Sequence, residues 1–349
     1  MRQSPSASLG MLIAEMPKVE LHLHLEGAVR PATLLALARR NQVELPVSDE
    51  GALRGLFTYQ ALQDFLALFM ALVRVLHRGE DFEQIAFELG EDLAAQRVRY
   101  AEVMLSAAQY YQRGIDLHEV IQGTLAGFAR AHQAFGTRMN LVLDYGRQCG
   151  PEAAWQLLHV ARQYVPAGLV GWSIGGNEPD FPPELFAEVF SAARQAGLHT
   201  MAHAGEVSGP QSVWGAIEAL HVERIGHGIR AVDDPALLAV LRERGITLDV
   251  CPTSNLYTGA VASLSQHPLR RLFDAGVPIT LNTDDPTLFN TTLIHEYRVA
   301  AAAFGFTADE LTALVCNGAR AAFLPLEERQ ALEQQLRAGI ASLRAALGV

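Results

Sequence analysis

The 349-residue chain is predicted to fold as an α/β protein, a (β/α)8 barrel with a helical cap inserted after the first strand. Eight short apolar runs rich in β-branched residues alternate along the chain with segments of helical spacing. Most of these runs are apolar throughout, as expected for parallel strands with helices on one side and core on the other. Half of the residues are hydrophobic, which is enough for a sizeable core.

The predicted strands alternate with helices that open at proline and stop at glycine. Strands are expected at 18–24, 98–106, 139–145, 168–174, 198–203, 223–226, 246–250 and 278–283. Helices are expected at 151–164, 183–196, 235–244 and 268–275. Proline at the first turn and Gly197, Gly245 or Gly276 just past the last turn match the usual asymmetry of helix ends.

The segment 27–97 is too long for one crossover between neighbouring strands, so we expect it to form the helical cap over the barrel mouth. Residues 59–76 within it carry apolar side chains at helical spacing. Most of these side chains are expected in the core, with part of the stretch roofing a flat substrate. Because no repeat, low-complexity tract or linker interrupts the chain, residues 1–349 are predicted to form a single domain.

Composition excludes several classes of function. A net charge of −11 without any basic block argues against nucleic acid as a partner. No long uncharged apolar run predicts a membrane helix. The chain has three cysteines and no CxxC pair, so we expect neither disulfides nor a cysteine-rich metal site; the cysteines are Cys149, Cys251 and Cys316. A cytoplasmic location is the simplest expectation. The sequence gives no indication of the oligomeric state.

The chain contains one lysine, Lys18, and it precedes a histidine pair at the start of the first predicted strand. Schiff-base chemistry, a phosphate-binding GK[ST] loop and a carbamylated lysine between two metals each need a lysine at a defined place. All three chemistries are therefore disfavoured.

Histidine and acidic residues lie at the carboxyl ends of several predicted strands. His24 ends the first strand, His203 ends the fifth, His227 follows the sixth, and Asp284 and Asp285 follow the eighth. Barrel enzymes build their active sites on this face. The sequence therefore predicts an active site formed from these residues.

The residue types in this group suit one zinc ion per chain. His22 and His24 are two apart in a strand and point to the same side. His203 and Asp284 would complete three nitrogen ligands and one oxygen ligand, with a position left for water. Taken alone, the His-x-His pair is equally typical of two strand histidines with local partners.

Three further residues are candidates for acid, base or substrate-binding roles. Glu206 would face the site and carry a proton to substrate, or else cap the next helix. His227 would orient or deprotonate the attacking water, or act as a fourth ligand or a structural residue. Asp285 would accept a hydrogen bond from a substrate nitrogen, or form the N-cap before Pro286.

Two other motifs are weaker. Residues 171–175 read GWSIG, the G-x-S-x-G pattern that places Ser173 as a serine-hydrolase nucleophile. That elbow turns directly into a helix, whereas the residues up to Pro183 do not permit one, so this alternative is remote. The glycines at 226 and 228 imitate a dinucleotide fingerprint without the surrounding βαβ unit.

Four segments together resemble the adenosine deaminase family, over residues of about 17–325. They are PKVELHLHLEG at 17–27, HAGE at 203–206, HG at 227–228 and NTDDP at 282–286. The resemblance implies a zinc-dependent (β/α)8 barrel that hydrolyses the exocyclic amine of a 6-aminopurine, a small-molecule substrate.

The resemblance also implies roles for individual residues. Zinc would be held by His22, His24, His203 and Asp284. Glu206 would protonate purine N1, His227 would position the attacking hydroxide, and Asp285 would bind N7. The backbone N–H of Gly176 would bind N3. The residues implied to contact substrate are His24, Glu26, Gly176 and Asp285.

The substrate implied is a 6-aminopurine nucleoside, adenosine or a 5′-modified adenosine such as aminodeoxyfutalosine. Glu26 stands where adenosine-specific members usually have Asp, and its extra carbon would shorten the ribose pocket by about 1.5 Å. Glu at this position is common in adenine deaminases, so adenine is the alternative substrate. The GGNE run at 175–178 favours a nucleoside. Rival interpretations are a related zinc hydrolase of cyclic amides and a catalytically silent barrel.

Overall fold

Eight parallel strands form a nearly closed barrel, with neighbours in sequence also neighbours in space. The computed structural model describes residues 6–59 and 61–349. The strands are β1 Lys18–His24, β2 Val98–Leu105, β3 Arg138–Gly146, β4 Leu169–Gly175, β5 His199–Ala204, β6 Arg224–His227, β7 Thr247–Val250 and β8 Ile279–Leu281. The predicted (β/α)8 barrel is therefore confirmed.

Sixteen α-helices are present in the described residues, most of them on the outside of the barrel. They are α1 Ala7–Glu15, α2 Pro31–Arg40, α3 Glu50–Gly55, α4 Leu62–Leu72, α5 Gly79–Ala95, α6 Ala107–Gln112, α7 Leu117–Phe135, α8 Gly150–Ala161, α9 Ala187–Gln195, α10 Pro210–Glu218, α11 Pro235–Arg244, α12 Pro252–Tyr257, α13 Leu269–Asp274, α14 Leu293–Phe304, α15 Ala308–Ala321 and α16 Leu326–Leu347. Short 3-10 helices lie at Glu26–Ala28, Val73–Val75, Arg147–Cys149, Arg162–Ala167, Pro183–Phe186, Ile229–Asp233 and Leu264–Gln266. None of the described helices is long and apolar enough to span a membrane.

β1 and β8 meet where the barrel closes, and side chains replace part of the backbone ladder there. The Leu21 and His22 N–H groups both donate to Asn282 Oδ1, at 2.8 and 3.1 Å. The Thr283 N–H donates to Glu20 at 2.9 Å. Beyond these contacts β1 and the segment after β8 pair directly through their backbones, in a bridge between Leu23 and Asp284. This explains why β8 is three residues long rather than the six predicted at 278–283.

The segment between β1 and β2 serves two positions in the fold. α5 packs against α7 on the outside of the barrel, with backbones so close that a Cβ on Gly123 would overlap the Gly79 carbonyl. α4, from the stretch predicted to be helical at 59–76, lies at the barrel mouth instead. Its apolar side chains face the central cavity.

The helices predicted at 151–164 and 183–196 are each partly 3-10. α8 ends at Ala161 and continues as the 3-10 helix Arg162–Ala167, which contains Pro166. The other begins with the 3-10 turn Pro183–Phe186 before α9. Proline lacks the N–H that an interior α-helical bond requires, which accounts for the tighter geometry around Pro166.

Candidate active site

Three histidines and one aspartate converge at the mouth of the barrel. One ligand atom from each of His22, His24, His203 and Asp284 lies within 4.8 Å of the others. Asp284 Oδ1 is 3.2 Å from His22 Nε2 and 3.3 Å from His24 Nε2. His203 Nε2 is 3.4 Å from His24 Nε2. All four side chains are buried, so the strand ends bring the predicted ligand group together.

Neighbouring groups orient these side chains toward a common centre. His203 Nδ1 donates to the Ile174 carbonyl at 3.0 Å, which leaves Nε2 with its lone pair toward the other three residues. The Ser254 hydroxyl donates to Asp284 Oδ2 at 2.6 Å, so Oδ1 remains for the histidines. Asp284 itself has φ +65°, a left-handed conformation that is uncommon for non-glycine residues.

The group fits a bound cation better than it fits an empty polar pocket. Neither ring nitrogen of His22, nor Nδ1 of His24, forms a hydrogen bond of normal geometry with described residues. Burial lowers the pKa of His22 to about 3, so its imidazole is neutral and able to ligate. For His24 burial also lowers the pKa, but Asp285, Asp284 and Asp144 outweigh it and raise the pKa to about 10. The neutral imidazole of His22 can ligate a metal, and the carboxylates around His24 favour a positive charge at this point. The group is thus a buried His-His-His-Asp metal site.

Glu206 and His227 lie beside this group rather than in it. His227 Nε2 is 3.7 Å from Glu206 Oε2 and 3.9 Å from Asp284 Oδ2. The Thr258 hydroxyl donates to Glu206 Oε1 at 3.3 Å. Burial raises the pKa of Glu206, and the nearby carboxylates of Asp284 and Glu178 add to the rise while His227 opposes it. A carboxyl group next to the cavity that keeps its proton to a higher pH than an exposed acid is suited to donate it.

Asp285 occupies space that a glycine leaves free. A Cβ on Gly27 would overlap the Asp285 carboxylate, which explains why the motif of β1 ends in glycine. Asp285 Oδ1 is buried and has no hydrogen-bond partner among the described residues. Burial and the adjacent Asp284 raise the pKa of Asp285 well above its ordinary value. A protonated Asp285 would donate to a ring nitrogen rather than accept from it.

The two remaining predicted substrate contacts lie in different surroundings. Gly176 follows β4, lines the cavity and has φ +92°, which favours glycine. Glu26 is buried behind the cavity wall, where its Oε1 accepts from the Ser106 N–H and the Tyr110 hydroxyl, each at 2.9 Å. Ser106 lines the cavity, so Glu26 contacts one of its walls.

Two residues, Gln109 and Glu178, were not assigned a role in the site from the sequence. The Gln109 amide is buried in the cavity wall, and neither of its polar atoms forms a hydrogen bond of normal geometry with described residues. Glu178 accepts from the N–H groups of Gly205, Val207 and Ser208, at 2.5, 3.0 and 3.0 Å, and so holds the turn that carries Glu206. No sequence motif marks Gln109 as a residue of the cavity wall. Glu178 is the last residue of the GGNE run at 175–178, and that run is the signal that could have identified it.

A cavity of about 400 Å³ opens above the metal site. Its walls include His24, Glu206, His227, Asp284, Asp285 and Gly176, all predicted site residues. Beyond them the cavity extends between α4 and the turns that follow β2 and β3. These more distant walls are formed by Leu62, Phe65, Leu66, Phe69, Met70, Gln109, Gln112 and Gln148.

Ser173 does not form a nucleophile elbow. It is fully buried within β4, paired in register with Asp144 of β3, and the strand continues to Gly175. Between Gly175 at the end of β4 and Pro183 no helix begins, so the strand-turn-helix geometry of the elbow is missing. The serine-hydrolase alternative is therefore wrong.

Comparison with known proteins agrees with this site. A family model described as "Adenosine deaminase" matches residues 17–338. An aminodeoxyfutalosine deaminase of Acidothermus cellulolyticus is 41% identical over 296 residues, which covers 83% of each chain. An adenine deaminase of Caulobacter vibrioides is 38% identical, covering 93% of this chain and 94% of the relative. An adenosine deaminase of Enterococcus faecalis is 34% identical, covering 93% and 97%.

A solved structure is also similar. An amidohydrolase from Burkholderia ambifaria with bound Zn has 31% identity and a TM-score of 0.91, covering 99% of this chain and 96% of its own. The barrel and its buried metal site thus define an amidohydrolase-like, metal-dependent enzyme. The chain belongs to the adenosine deaminase family, and its reaction is the hydrolytic deamination of an aminopurine.

Proposed function

We propose that the enzyme removes the 6-amino group of an adenine nucleoside, either adenosine or a 5′-modified adenosine such as aminodeoxyfutalosine, and releases the 6-oxo product and ammonia. The cavity carries this proposal. At about 400 Å³ it is of a size typical for drug-sized ligands. Its walls extend past the predicted purine contacts to Gln109 and the apolar face of α4, which leaves room for a group attached to the base.

The metal proposed is zinc, one ion per chain, held by His22, His24, His203 and Asp284. Imidazole nitrogens and carboxylate oxygens, the donors of this group, are ligand types that zinc binds in proteins. When bound, zinc would supply Lewis acidity and lower the pKa of a coordinated water, which provides a nucleophile near neutral pH.

The protein's own groups would act on the purine and its proton. Protonated Glu206 would transfer its proton to N1, which makes C6 more electrophilic. Asp285 would donate a hydrogen bond to N7, and the Gly176 N–H would donate to N3. His227 would hold the attacking oxygen in line with C6. Attack forms the C6–O bond, the C6–N bond then breaks, and the amine leaves as ammonia with a proton that came from the attacking water.

The distal walls indicate what the substrate carries beyond its base. Among the described residues that line the cavity there is neither arginine nor lysine, so no cation is placed to bind a phosphate. Gln109 supplies both a donor and an acceptor, which match hydroxyl groups. These features favour a nucleoside over a nucleotide.

Adenine is the second candidate, favoured by Glu26. Its buried carboxylate binds Ser106 of the cavity wall and Tyr110 behind it, so the longer side chain occupies the side where a ribose 5′ end would be recognised. The adenine deaminase of Caulobacter vibrioides is also among the similar proteins.

Ammonia release separates these candidates. The panel is adenine, adenosine, 2′-deoxyadenosine, 5′-methylthioadenosine and aminodeoxyfutalosine, each with and without a zinc chelator. We expect chelator-sensitive turnover of at least one nucleoside, with a higher kcat/KM than adenine. Turnover of adenine alone would assign the enzyme to the base instead, and chelator-resistant turnover would contradict the zinc proposal.

The variant Gln109→Leu tests the distal contact on the same panel, because it removes a hydrogen-bonding group at nearly constant size. It is expected to lower kcat/KM for the nucleoside while leaving adenine turnover unchanged. The exposed Gln330→Leu is the matched control. An equal effect on base and nucleoside would contradict a role for Gln109 in binding the group beyond the base.

A further inference from the structure

A chain of hydrogen bonds runs from a backbone N–H to the ring of His227. It begins at the Leu269 N–H, which donates to His267 Nδ1 at 3.1 Å. A backbone N–H is always a donor, so His267 Nδ1 accepts. Burial lowers the pKa of His267 to about 3, so this ring is neutral and carries its single proton on Nε2.

The proton on His267 Nε2 in turn fixes the amide of Asn255. His267 Nε2 lies 3.1 Å from Asn255 Oδ1 and donates to it. The amide nitrogen therefore points the opposite way, where Asn255 Nδ2 lies 3.2 Å from His227 Nδ1. Asn255 is fully buried and His267 is 5% exposed, so water does not compete with these bonds. Each of these three hydrogen bonds therefore has a single assignment of donor and acceptor that is consistent with the other two.

The consequence concerns the side of the His227 ring that faces the cavity. Since an amide N–H donates to Nδ1, the neutral ring must carry its proton on Nε2. Nε2 is the atom that lies near Glu206 Oε2 and Asp284 Oδ2. The neutral ring thus presents a hydrogen-bond donor to the reaction site, whereas a general base would need a lone pair there.

We propose that Asn255 and His267 are positioning residues that hold His227 in the Nε2–H tautomer, so that His227 orients the attacking oxygen by donating to it. Neither residue lines the cavity, so their effect on the reaction passes through His227. The effect on turnover rests on the proposed role of His227 in deamination, but the tautomer itself does not.

The decisive measurement is the ring ¹⁵N NMR spectrum of histidine-labelled, zinc-loaded protein, with the His227 signals assigned from the His227→Asn variant. In the wild type we expect Nδ1 to be pyridine-like and Nε2 to be protonated. Asn255→Asp replaces the donor with an acceptor of the same shape, and His227 Nδ1 should then acquire a proton. A protonated Nδ1 in the wild type, or an unprotonated Nδ1 in the variant, would overturn the proposal.

Turnover of the metal-loaded enzyme gives an independent readout. Asn255→Asp should lower kcat by about 10²- to 10⁴-fold, the range of a displaced acid–base or donor group, with KM and zinc content unchanged. His267→Phe removes the donor to Asn255 and should lower kcat, whereas His267→Gln keeps an N–H at that position and should restore most of it. If Asn255→Asp does not fold, the wild-type spectrum and this His267 pair still decide. Equal kcat in the Phe and Gln variants would contradict this hydrogen-bond relay from His267 through Asn255 to His227.

If no aminopurine is turned over at all, the substrate proposal fails while the NMR result still tests the relay. If an aminopurine is turned over and the wild-type His227 carries its proton on Nδ1, the relay fails and the deaminase function stands.

Discussion

Two buried carboxyl groups, Glu206 and Asp285, face the cavity, and burial together with the nearby Asp284 carboxylate raises the pKa of both. Glu206 is desolvated and lies near the carboxylates of Asp284 and Glu178. Asp285 is desolvated and directly adjacent to Asp284. Both can therefore remain protonated where an exposed acid would be ionised. The proposed mechanism uses two such acids, one to give a proton to one ring nitrogen and one to donate a hydrogen bond to another.

The variant Glu206→Gln should lower kcat by about 10²- to 10⁴-fold while zinc content stays unchanged, because the amide has no proton to transfer. In the wild type, kcat should fall as pH rises through the raised pKa of Glu206, since only the protonated acid is active. Steady-state kinetics against pH and metal analysis measure both effects. The exposed Glu188→Gln is the matched control. Near-normal turnover in Glu206→Gln would exclude this role.

Glu296 offers a test of stability that is independent of catalysis. Burial raises its pKa to about 7, although hydrogen bonds from Thr253 and Thr291 oppose the rise. Between about pH 4.5 and 7 the folded protein keeps a proton that the unfolded chain has lost, so the free energy of unfolding falls by about 3 kcal/mol across this window. Glu20 has a raised pKa of about 7 for the same reason.

Glu296→Gln should remove this contribution and flatten the decline of Tm between pH 5 and 7. The Thr291 hydroxyl can reverse its bond and accept from the new amide, so the fold tolerates the change. Thermal unfolding of both proteins at several pH values measures the effect. Exposed Glu327→Gln should leave the wild-type decline intact. An unchanged decline in Glu296→Gln would mean that Glu296 does not carry the proton.

Residue types with distinctive chemistry could be predicted as site residues from the sequence, and amides could not. His22, His24, His203 and Asp284 belong to short motifs at strand ends, and the structure brings them together. Asn255, His267 and Gln109 lie in segments without a comparable motif. Their positions in the site depend on how α12, the turn before α13 and α6 pack around the barrel mouth, and sequence periodicity does not describe that packing.

At the level of elements, turns and strand ends determine where the side chains of the site lie. The turn after β5 is held by the Glu178 carboxylate, which accepts three backbone N–H groups. The strand pattern predicted all eight strands, but not the length of β8. Asn282 and Glu20 take over hydrogen bonds there that a longer strand would have made, and such replacement by side chains has no signature in hydrophobic spacing.

Gly176→Ala should damage the site through one turn. The residue has φ +92°, and an added Cβ would overlap the Gln148 amide on the cavity wall. We expect kcat/KM to fall by about 10- to 100-fold, as displacement of about 1 Å at a binding group does. Gly245→Ala pays a similar backbone cost of about 1–2 kcal/mol at φ +67°, but nothing lies within 4 Å of its Cβ. Thermal unfolding should show a similar loss of stability in the two variants, whereas steady-state kinetics should show a loss of activity in Gly176→Ala alone. An equal loss of activity in both variants would contradict a specific role of the Gly176 turn.

For the whole molecule, the metal site joins distant parts of the barrel. Two of its ligands lie in β1, one lies in β5, and Asp284 follows β8. One ion would therefore link strands on both sides of the barrel closure. Binding to the folded state alone stabilises it in proportion to ligand excess. The metal should therefore act on stability as well as on turnover.

Removal of zinc by a chelator should lower Tm. The loss corresponds to about 4 kcal/mol if zinc had been present at about 1,000 times its Kd. Differential scanning calorimetry with and without chelator measures this loss, and added zinc should reverse it. In His203→Ala, which lacks one proposed ligand, the chelator should have no further effect. A chelator-independent Tm in the wild type would argue against a bound metal at this site.

The single lysine of the chain gives the base of the barrel a chemical label of its own. Lys18 is fully buried at the start of β1, where Nζ donates to the Met16 carbonyl at 2.9 Å and the Gln96 carbonyl at 3.3 Å. Amine-reactive reagents can reach this side chain only when the strand detaches from its neighbours. The rate of acylation at Lys18, followed by mass spectrometry, would report opening of the end of the barrel opposite the active site, without an engineered probe.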